Sequence, residues 1–177
     1  ELLAGGLSSR LEALGGFDFH PAAPESTDEY SARLAAAEGI LLGWHLPPEV
    51  MREARNLKVV AFTGTGAVNF VDMAQARERG ITVTNTPGYA DQAVAEHTLA
   101  LTLGVMKQLG TDRDIRSGNW GAEHASREFG ATTIGIVGMG GIGRRFAELA
   151  SALGFSVLCW NRSYENRPEL PRGVTAV

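Results

Sequence analysis

The sequence predicts an α/β fold built on parallel sheets, and two observations lead to this prediction. Short apolar segments rich in β-branched residues alternate along the chain with segments of helical period. This alternation is typical of βαβ units, in which consecutive strands run parallel. Glycines follow several of the apolar segments, as expected where a strand turns into the next element. The chain is therefore expected to contain strand–helix–strand units.

The first half of the chain is expected to form one such series. Ser26 and Glu29 match a capping box at the start of a helix, and Pro47 and Pro48 are favourable at the start of another. The predicted strands are 1–4, 39–43, 57–63 and 81–85, and the predicted helices are 8–14, 27–38, 48–56 and 71–79.

Pro87 and Gly88 interrupt the alternation of strands and helices. After them the sequence predicts a long helix and then a second series of strands and helices. Asp91 is expected to cap the helix, which runs to about Leu109. Its apolar residues surround the axis, which predicts burial on all sides, between two domains or two subunits. A polar connecting segment containing Trp120 then leads to the second series, whose predicted elements are strand 132–138, helix 141–153, strand 155–160 and a strand beginning at 174. The last predicted strand begins at the final residues of the sequence, and such a strand does not complete a parallel sheet. We therefore expect the chain to be truncated.

Composition restricts the classes of function. The chain has 177 residues, enough for one ordinary domain or two small ones, and 16 Lys and Arg against 20 Asp and Glu give a net charge of −4. This charge makes a nucleic-acid partner a poor hypothesis. No apolar run approaches the ~18 residues of a membrane span. The single cysteine, Cys159, excludes an intrachain disulfide, fits a reducing compartment such as the cytoplasm, and is expected to be a buried packing residue.

A glycine-rich motif, Gly-x-Gly-x-x-Gly, lies between a predicted strand and a predicted helix. In a dinucleotide site, the first glycine permits the tight turn, the second lets the backbone approach a pyrophosphate, and the third allows close packing of helix on strand. The helix N-terminus offers free N–H groups and a partial positive charge to the anion. The alternative is a turn that binds nothing. The candidate cofactor-binding residues are Gly138, Met139, Gly140, Gly141, Ile142 and Gly143.

The end of the next predicted strand bears on the choice of cofactor. An Asp or Glu about 20 residues after the glycines usually binds the adenosine ribose of NAD. Asn161 occupies this region, followed by Arg162 and Ser163. Without the carboxylate nothing repels a 2′-phosphate, and Arg162 and Ser163 could bind one. This favours NADP over NAD; the alternative is an ordinary polar turn.

Several segments together resemble the D-2-hydroxyacid dehydrogenase family, which includes glyoxylate, hydroxypyruvate and phosphoglycerate dehydrogenases. The order and spacing match from about residue 39 to the end of the chain. The segments that carry the resemblance are Leu57-Lys-Val-Val, Gly64-Thr-Gly-Ala-Val-Asn-Phe-Val-Asp72, Gly80-Ile-Thr-Val-Thr-Asn-Thr-Pro-Gly88, Val94-Ala-Glu-His-Thr-Leu-Ala-Leu101, Arg116-Ser-Gly-Asn-Trp120 and the glycine motif.

The resemblance implies a flavodoxin-like substrate domain at 1–88 and the first part of a Rossmann-type doubly wound parallel-sheet domain at 89–177, with the active site in the cleft between them. Backbone N–H groups of the 64–67 loop would bind the substrate carboxylate, and glycines after a parallel strand suit this role. The candidate substrate-binding residues are Thr65, Gly66 and Ala67. Two side chains, Val94 and Thr98, would lie near the nicotinamide, or serve only helix packing.

Other candidate site residues have weaker support in the sequence. Trp44 and His45 follow a strand end and would face the substrate side chain, or form a plain surface loop. Glu96 and His97 are neighbours on a helix and point about 100° apart, so they cannot act jointly on one substrate atom. In the family this pair lies on the interface helix and is not the acid–base pair, so a structural role is expected. His20 and His124 remain unassigned.

The resemblance implies an NAD(P)-dependent oxidoreductase that interconverts a small 2-keto acid and its D-2-hydroxy acid by hydride transfer. The Arg, Glu and His that perform its acid–base chemistry would lie beyond residue 177, so no catalytic residue is assigned and these 177 residues alone are not expected to turn over. A non-catalytic dinucleotide sensor of the corepressor type is the alternative, and a methyltransferase is less favoured. No metal is expected. A homodimer through the helix at 91–109 is predicted.

Overall fold

The computed structural model of the chain describes residues 7–13, 15–111, 116–119, 126–162 and 169–177. The chain divides into two compact units, Glu1–Thr84 and Asn85–Val177. Within the described ranges, each unit contains a three-stranded sheet whose paired strands are all parallel. The predicted α/β class is therefore confirmed.

The first unit has strands in the order β1-β2-β3, so strands that follow one another along the chain are neighbours in the sheet. Leu42 pairs with Phe62 at the carboxyl end of β1 and β2. The predicted strand at 1–4 lies outside the described residues. The elements are α1 (Leu7–Glu12), α2 (Thr27–Leu34), β1 (Gly39–Leu42), α3 (Pro48–Glu53), β2 (Val59–Phe62), a 3₁₀ turn (Ala67–Asn69), α4 (Met73–Glu78) and β3 (Thr82–Thr84).

Helix α2 begins as predicted but ends earlier. The Ser26 hydroxyl accepts a hydrogen bond from the Glu29 N–H at 3.1 Å, which confirms the N-terminal cap. The Glu29 carboxylate accepts from the Glu25 N–H at 2.8 Å rather than from Ser26. The Glu38 carbonyl accepts from the N–H groups of Lys58 and Val59 at the start of β2. The Ala37 N–H donates to the Leu34 carbonyl oxygen in a turn, so the chain leaves the helix at Leu34 and bends before it reaches the sheet at Glu38.

The core of the first unit lies between its sheet and helices. The Arg79 guanidinium donates to the carbonyl oxygens of Met51 and Ala54, which the end of α3 leaves without helical partners. The buried apolar side chains that form this core are Leu34, Leu42, Leu46, Val50, Met51, Ala54, Leu57, Val60, Phe62, Ala67, Val71, Ala76 and Ile81.

The second unit has strands in the order β4-β5-β6. Consecutive adjacent strands of this kind form one half of a Rossmann-type sheet. Cys159 is 1% exposed in its core, which confirms the prediction of a packing residue. The elements are α5 (Asp91–Met106), a 3₁₀ turn (Leu109–Thr111), β4 (Thr133–Val137), α6 (Gly141–Ala152), β5 (Ser156–Trp160) and β6 (Val174–Ala176).

Helix α5 differs from the prediction in burial and in its first residue. Among its residues, all of which the structure describes, Ala95 alone is buried, so burial on all sides is wrong for the single chain. Leu99, Leu103 and Met106 pack against the core of the unit, and the opposite face stays exposed. Asp91 does not cap the helix; Ala90 is the N-cap and Asp91 is the first helical residue.

Candidate functional site

The glycine motif forms the connection from β4 to α6. Gly138 has a φ of +102°, in the left-handed region that strongly favours glycine, and its N–H donates to the Trp160 carbonyl oxygen at 2.8 Å. This bond ties the turn to the carboxyl end of β5. The expected tight turn at Gly138 is therefore confirmed.

Gly143 allows the helix to approach the strand. A Cβ at this position would overlap the carbonyl oxygen of Gly138 and lie 3.5 Å from Cγ2 of Ile136. The expected packing role of Gly143 is therefore confirmed. At Gly140, by contrast, a Cβ would have no neighbour among the described atoms within 4 Å. The backbone there faces open space, as approach by a ligand requires.

The start of α6 suits an anion. Gly140 is the N-cap, and no side chain within the described residues caps the helix. The first N–H groups of a helix have no intrahelical acceptor and carry partial positive charge, which favours a phosphate group. Met139 is 7% exposed, whereas Ile142 is 41% exposed.

The residues after β5 lie against the glycine motif. The Asn161 side-chain oxygen accepts from the Met139 N–H at 3.5 Å. Arg162 follows and is exposed. The structure therefore brings the predicted ribose position and the predicted pyrophosphate loop together at one edge of the sheet. Ser163, the third predicted residue, lies outside the described residues.

The contact between Asp91 and the glycine motif was not predicted from the sequence. A Cβ on Gly141 would overlap the Asp91 Oδ2 and lie 2.5 Å from its Cγ, so the carboxylate rests against the first residue of α6. Next to Asp91, Gln92 accepts a hydrogen bond from Nε of Arg145 on α6. No local pattern reveals this contact, because it joins residues far apart in sequence that meet only when α5 packs on α6.

The predicted nicotinamide residues lie on the exposed side of α5. Val94 is 41% exposed, and the Thr98 hydroxyl donates to the Val94 carbonyl oxygen at 2.8 Å. That hydroxyl is therefore already used within the helix. Glu96 and His97 are both exposed on the same helix.

The predicted substrate loop follows β2 in the first unit. The Thr63 N–H donates to the Leu42 carbonyl oxygen at 3.0 Å, which continues the pairing of β1 and β2 into the loops. Thr65 is exposed and Gly66 half-buried, whereas Ala67 is 7% exposed and belongs to the core. Thr65 and Gly66 are therefore more accessible to a ligand than Ala67.

Trp44 lies at the same edge of this sheet, after β1. Its side chain is 75% exposed, and its ring centroid is 5.3 Å from that of Phe70. The Leu46 N–H donates to the Phe70 carbonyl oxygen at 2.9 Å and fixes this loop. An exposed indole on a fixed loop can contact a ligand side chain. His45 is also exposed, and its carbonyl oxygen accepts from the Tyr30 hydroxyl at 3.3 Å.

No helix among the described residues is long and apolar enough to cross a membrane. No group of three or more His, Cys, Asp and Glu side chains in those same ranges is arranged to hold a metal ion.

The chain is similar in sequence and in structure to known reductases and dehydrogenases, which agrees with the geometry of the glycine motif. Glyoxylate reductase of Aeropyrum pernix is 32% identical over 167 residues, which are 89% of this chain and 50% of the reductase. The structure of D-lactate dehydrogenase from Aquifex aeolicus, complexed with NAD and lactic acid, matches 97% of this chain and 53% of that one, with a TM-score of 0.75 and 25% identity. An acyclic imino acid reductase in complex with NADPH and D-Arg matches 99% and 56%, with a TM-score of 0.80 and 26% identity.

The chain spans about half the length of these proteins. Residues 8–166 match the family model of the D-isomer specific 2-hydroxyacid dehydrogenase catalytic domain. The match covers most of the chain and includes both the substrate loop and the glycine motif. The chain therefore belongs to the D-isomer specific 2-hydroxyacid dehydrogenase family.

Proposed function

We propose that the protein is an NAD(P)-dependent oxidoreductase that interconverts a small 2-keto acid and its D-2-hydroxy acid. The observation that supports this most directly is the uncapped N-terminus of α6, reached through a left-handed Gly138 in a member of this family. Such a terminus fits the pyrophosphate of a dinucleotide. The Aquifex relative contains NAD and lactic acid, and the imino acid reductase contains NADPH, which supports a nicotinamide cofactor.

The residues have separate roles in this proposal. The cofactor supplies the hydride at its nicotinamide ring. Backbone amides of the glycine motif bind its pyrophosphate, and Val94 and Thr98 contact the nicotinamide end. Backbone N–H groups at Thr65 and Gly66 bind the substrate carboxylate, and Trp44 contacts the substrate side chain. We assign no acid–base residue among residues 1–177.

The proposed domain assignment follows from these roles. Residues 1–88 form the substrate domain, and residues 89–177 form the N-terminal part of the cofactor domain. We place the protein in the cytoplasm, because its single thiol suits a reducing compartment.

We also propose a preference for NADP over NAD. Asn161 replaces the carboxylate that would bind the ribose 2′-hydroxyl of NAD, and the exposed Arg162 beside it can pair with a 2′-phosphate. The contact between Asn161 and the Met139 N–H supports a location next to the bound dinucleotide.

Titration of the full-length protein with NADPH and NADH tests this function. We expect both to change the tryptophan fluorescence, with tighter binding of NADPH, and NADPH oxidation to follow addition of glyoxylate or hydroxypyruvate. Tighter binding of NADH would contradict the cofactor preference. Binding without turnover of any 2-keto acid would favour the dinucleotide-sensor alternative. Absence of binding by either cofactor would contradict both.

Homodimerisation is proposed through the exposed face of α5. Leu101 and Val105 are 59% and 79% exposed. At about 100° per residue, they lie within about 40° of one another around the helix axis. Leu109, in the turn after the helix, is 68% exposed. Exposed apolar side chains on one face of a helix are typical of a subunit interface.

The double substitution L101D/V105D is expected to convert the dimer to a monomer. Two buried charges at an apolar interface carry a desolvation cost that exceeds the affinity of a modest dimer. Light scattering at micromolar concentration measures the mass. V68D is the control, because Val68 is 70% exposed but lies in the first unit. A monomeric mass for the unmodified protein would contradict the proposal.

A further inference from the structure

We propose that the Asp91 carboxylate acts as an internal anion at the glycine motif and lowers the affinity of the protein for dinucleotides. This inference rests on the proposed function and concerns the same site. Neither the glycine motif nor the family resemblance assigns Asp91 a role there. The geometry of three residues, Asp91, Gly141 and Arg145, leads to it.

The contact itself is close. Asp91 is half-buried, and its carboxylate occupies the space that a side chain on Gly141 would fill. Asp91 is the first residue of α5, and Gly141 is the first residue of α6. One carboxylate therefore lies at the N-termini of two helices, where negative charge is favourable.

A hydrogen bond beside Asp91 joins α5 to α6. The Gln92 side-chain oxygen accepts from Nε of Arg145, and Nη1 of Arg145 also pairs with Glu148 at 2.7 Å. The bond to Gln92 ties the first turn of α5 to α6, and the pair with Glu148 lies within α6. They also engage the Arg145 guanidinium with protein acceptors, which weakens it as a partner for an incoming anion.

The charge of Asp91 opposes the charge of the cofactor. A pyrophosphate brings negative charge to the start of α6, where Asp91 already satisfies part of the positive potential. Binding therefore requires the carboxylate to rotate away or to remain as a repelling neighbour. Either requirement reduces the affinity for the dinucleotide, and removal of the Asp91 charge should raise this affinity.

An ordinary structural role makes the opposite prediction. If Asp91 only stabilises the ends of α5 and α6, its neutralisation lowers stability and leaves dinucleotide affinity unchanged or weaker. Under the proposal, D91N lowers the stability of the unliganded protein while it raises affinity. The two effects have opposite signs, which a purely structural residue does not produce.

The experiment compares D91N with the unmodified full-length protein. Asparagine has nearly the shape of aspartate, so the substitution removes charge without opening space. Binding of NADPH, ADP-ribose and adenosine is measured by calorimetry, and thermal unfolding is measured without ligand. E128Q is the matched control, because it removes one negative charge from an exposed residue of the same unit outside both helices.

We expect D91N to bind NADPH and ADP-ribose about tenfold more tightly, with adenosine affinity unchanged because adenosine carries no phosphate. E128Q should bind all three as the unmodified protein does. Unchanged or weaker binding of ADP-ribose by D91N, or an equal gain in E128Q, would overturn the inference while the proposed function stands. If neither the unmodified protein nor D91N binds any dinucleotide, the proposed function fails and the inference fails with it.

Discussion

Substitution of Gly143 by alanine is expected to destabilise the second unit by about 2–4 kcal/mol and to abolish dinucleotide binding. The added Cβ would overlap the Gly138 carbonyl oxygen and lie 3.2 Å from its carbonyl carbon. These are backbone atoms of the strand–helix turn, so no side-chain rotation relieves the overlap. The start of α6 must move away from the turn, which separates the helix amides from the proposed pyrophosphate position. Urea unfolding and NADPH titration measure the two effects.

The same substitution at Gly104 provides a matched control. Gly104 lies within α5, and a Cβ there would have no neighbour among the described atoms within 4 Å. Because glycine is a poor helix former, G104A should raise stability by about 0.5–1 kcal/mol. A G143A protein as stable as the unmodified one, with unchanged NADPH affinity, would show that α6 does not need its close approach to the turn.

Substitution of Asn161 by aspartate is expected to reverse the cofactor preference, with the ratio of NADPH to NADH affinity falling roughly a hundredfold. The new carboxylate can accept a hydrogen bond from the ribose 2′-hydroxyl of NADH and repels the 2′-phosphate of NADPH. The oxygen that accepts from the Met139 N–H is retained in aspartate. Fluorescence titration with both cofactors gives the ratio.

N119D serves as the control for this experiment. Asn119 is an exposed residue of the same unit and lies outside the glycine motif and the end of β5. Its conversion adds the same charge, and the affinity ratio should change little. An unchanged ratio in N161D, or a similar fall in N119D, would show that Asn161 does not contact the ribose.

Much of the secondary structure could be predicted because its causes are local. The central strands β2 and β5 are mostly apolar, and a glycine or a polar turn follows each. Ser26 and Pro48 begin their helices by capping and by fixed backbone geometry. The element bounds shift by a few residues, as at the end of α2, where the chain turns at Leu34 before it reaches the sheet at Glu38.

The pattern of apolar residues in helix α5 was not sufficient to predict its burial. Its all-round apolar character predicts a buried helix, yet Leu101 and Val105 are exposed in the single chain. Periodicity reports which faces are apolar and does not report what covers them. The Leu99 face packs on the core of the unit, and we propose that a second subunit covers the other face.

The sequence by itself determined the parallel α/β class, the family and the steric roles of Gly138 and Gly143, because each depends on neighbours along the chain or on a pattern of spacing. Tertiary structure alone decided that Asp91 rests against Gly141 and that Asn161 contacts the Met139 amide. Each of these contacts joins residues from different elements. Their distances depend on how helix packs on helix and how strand ends align, which no local propensity encodes.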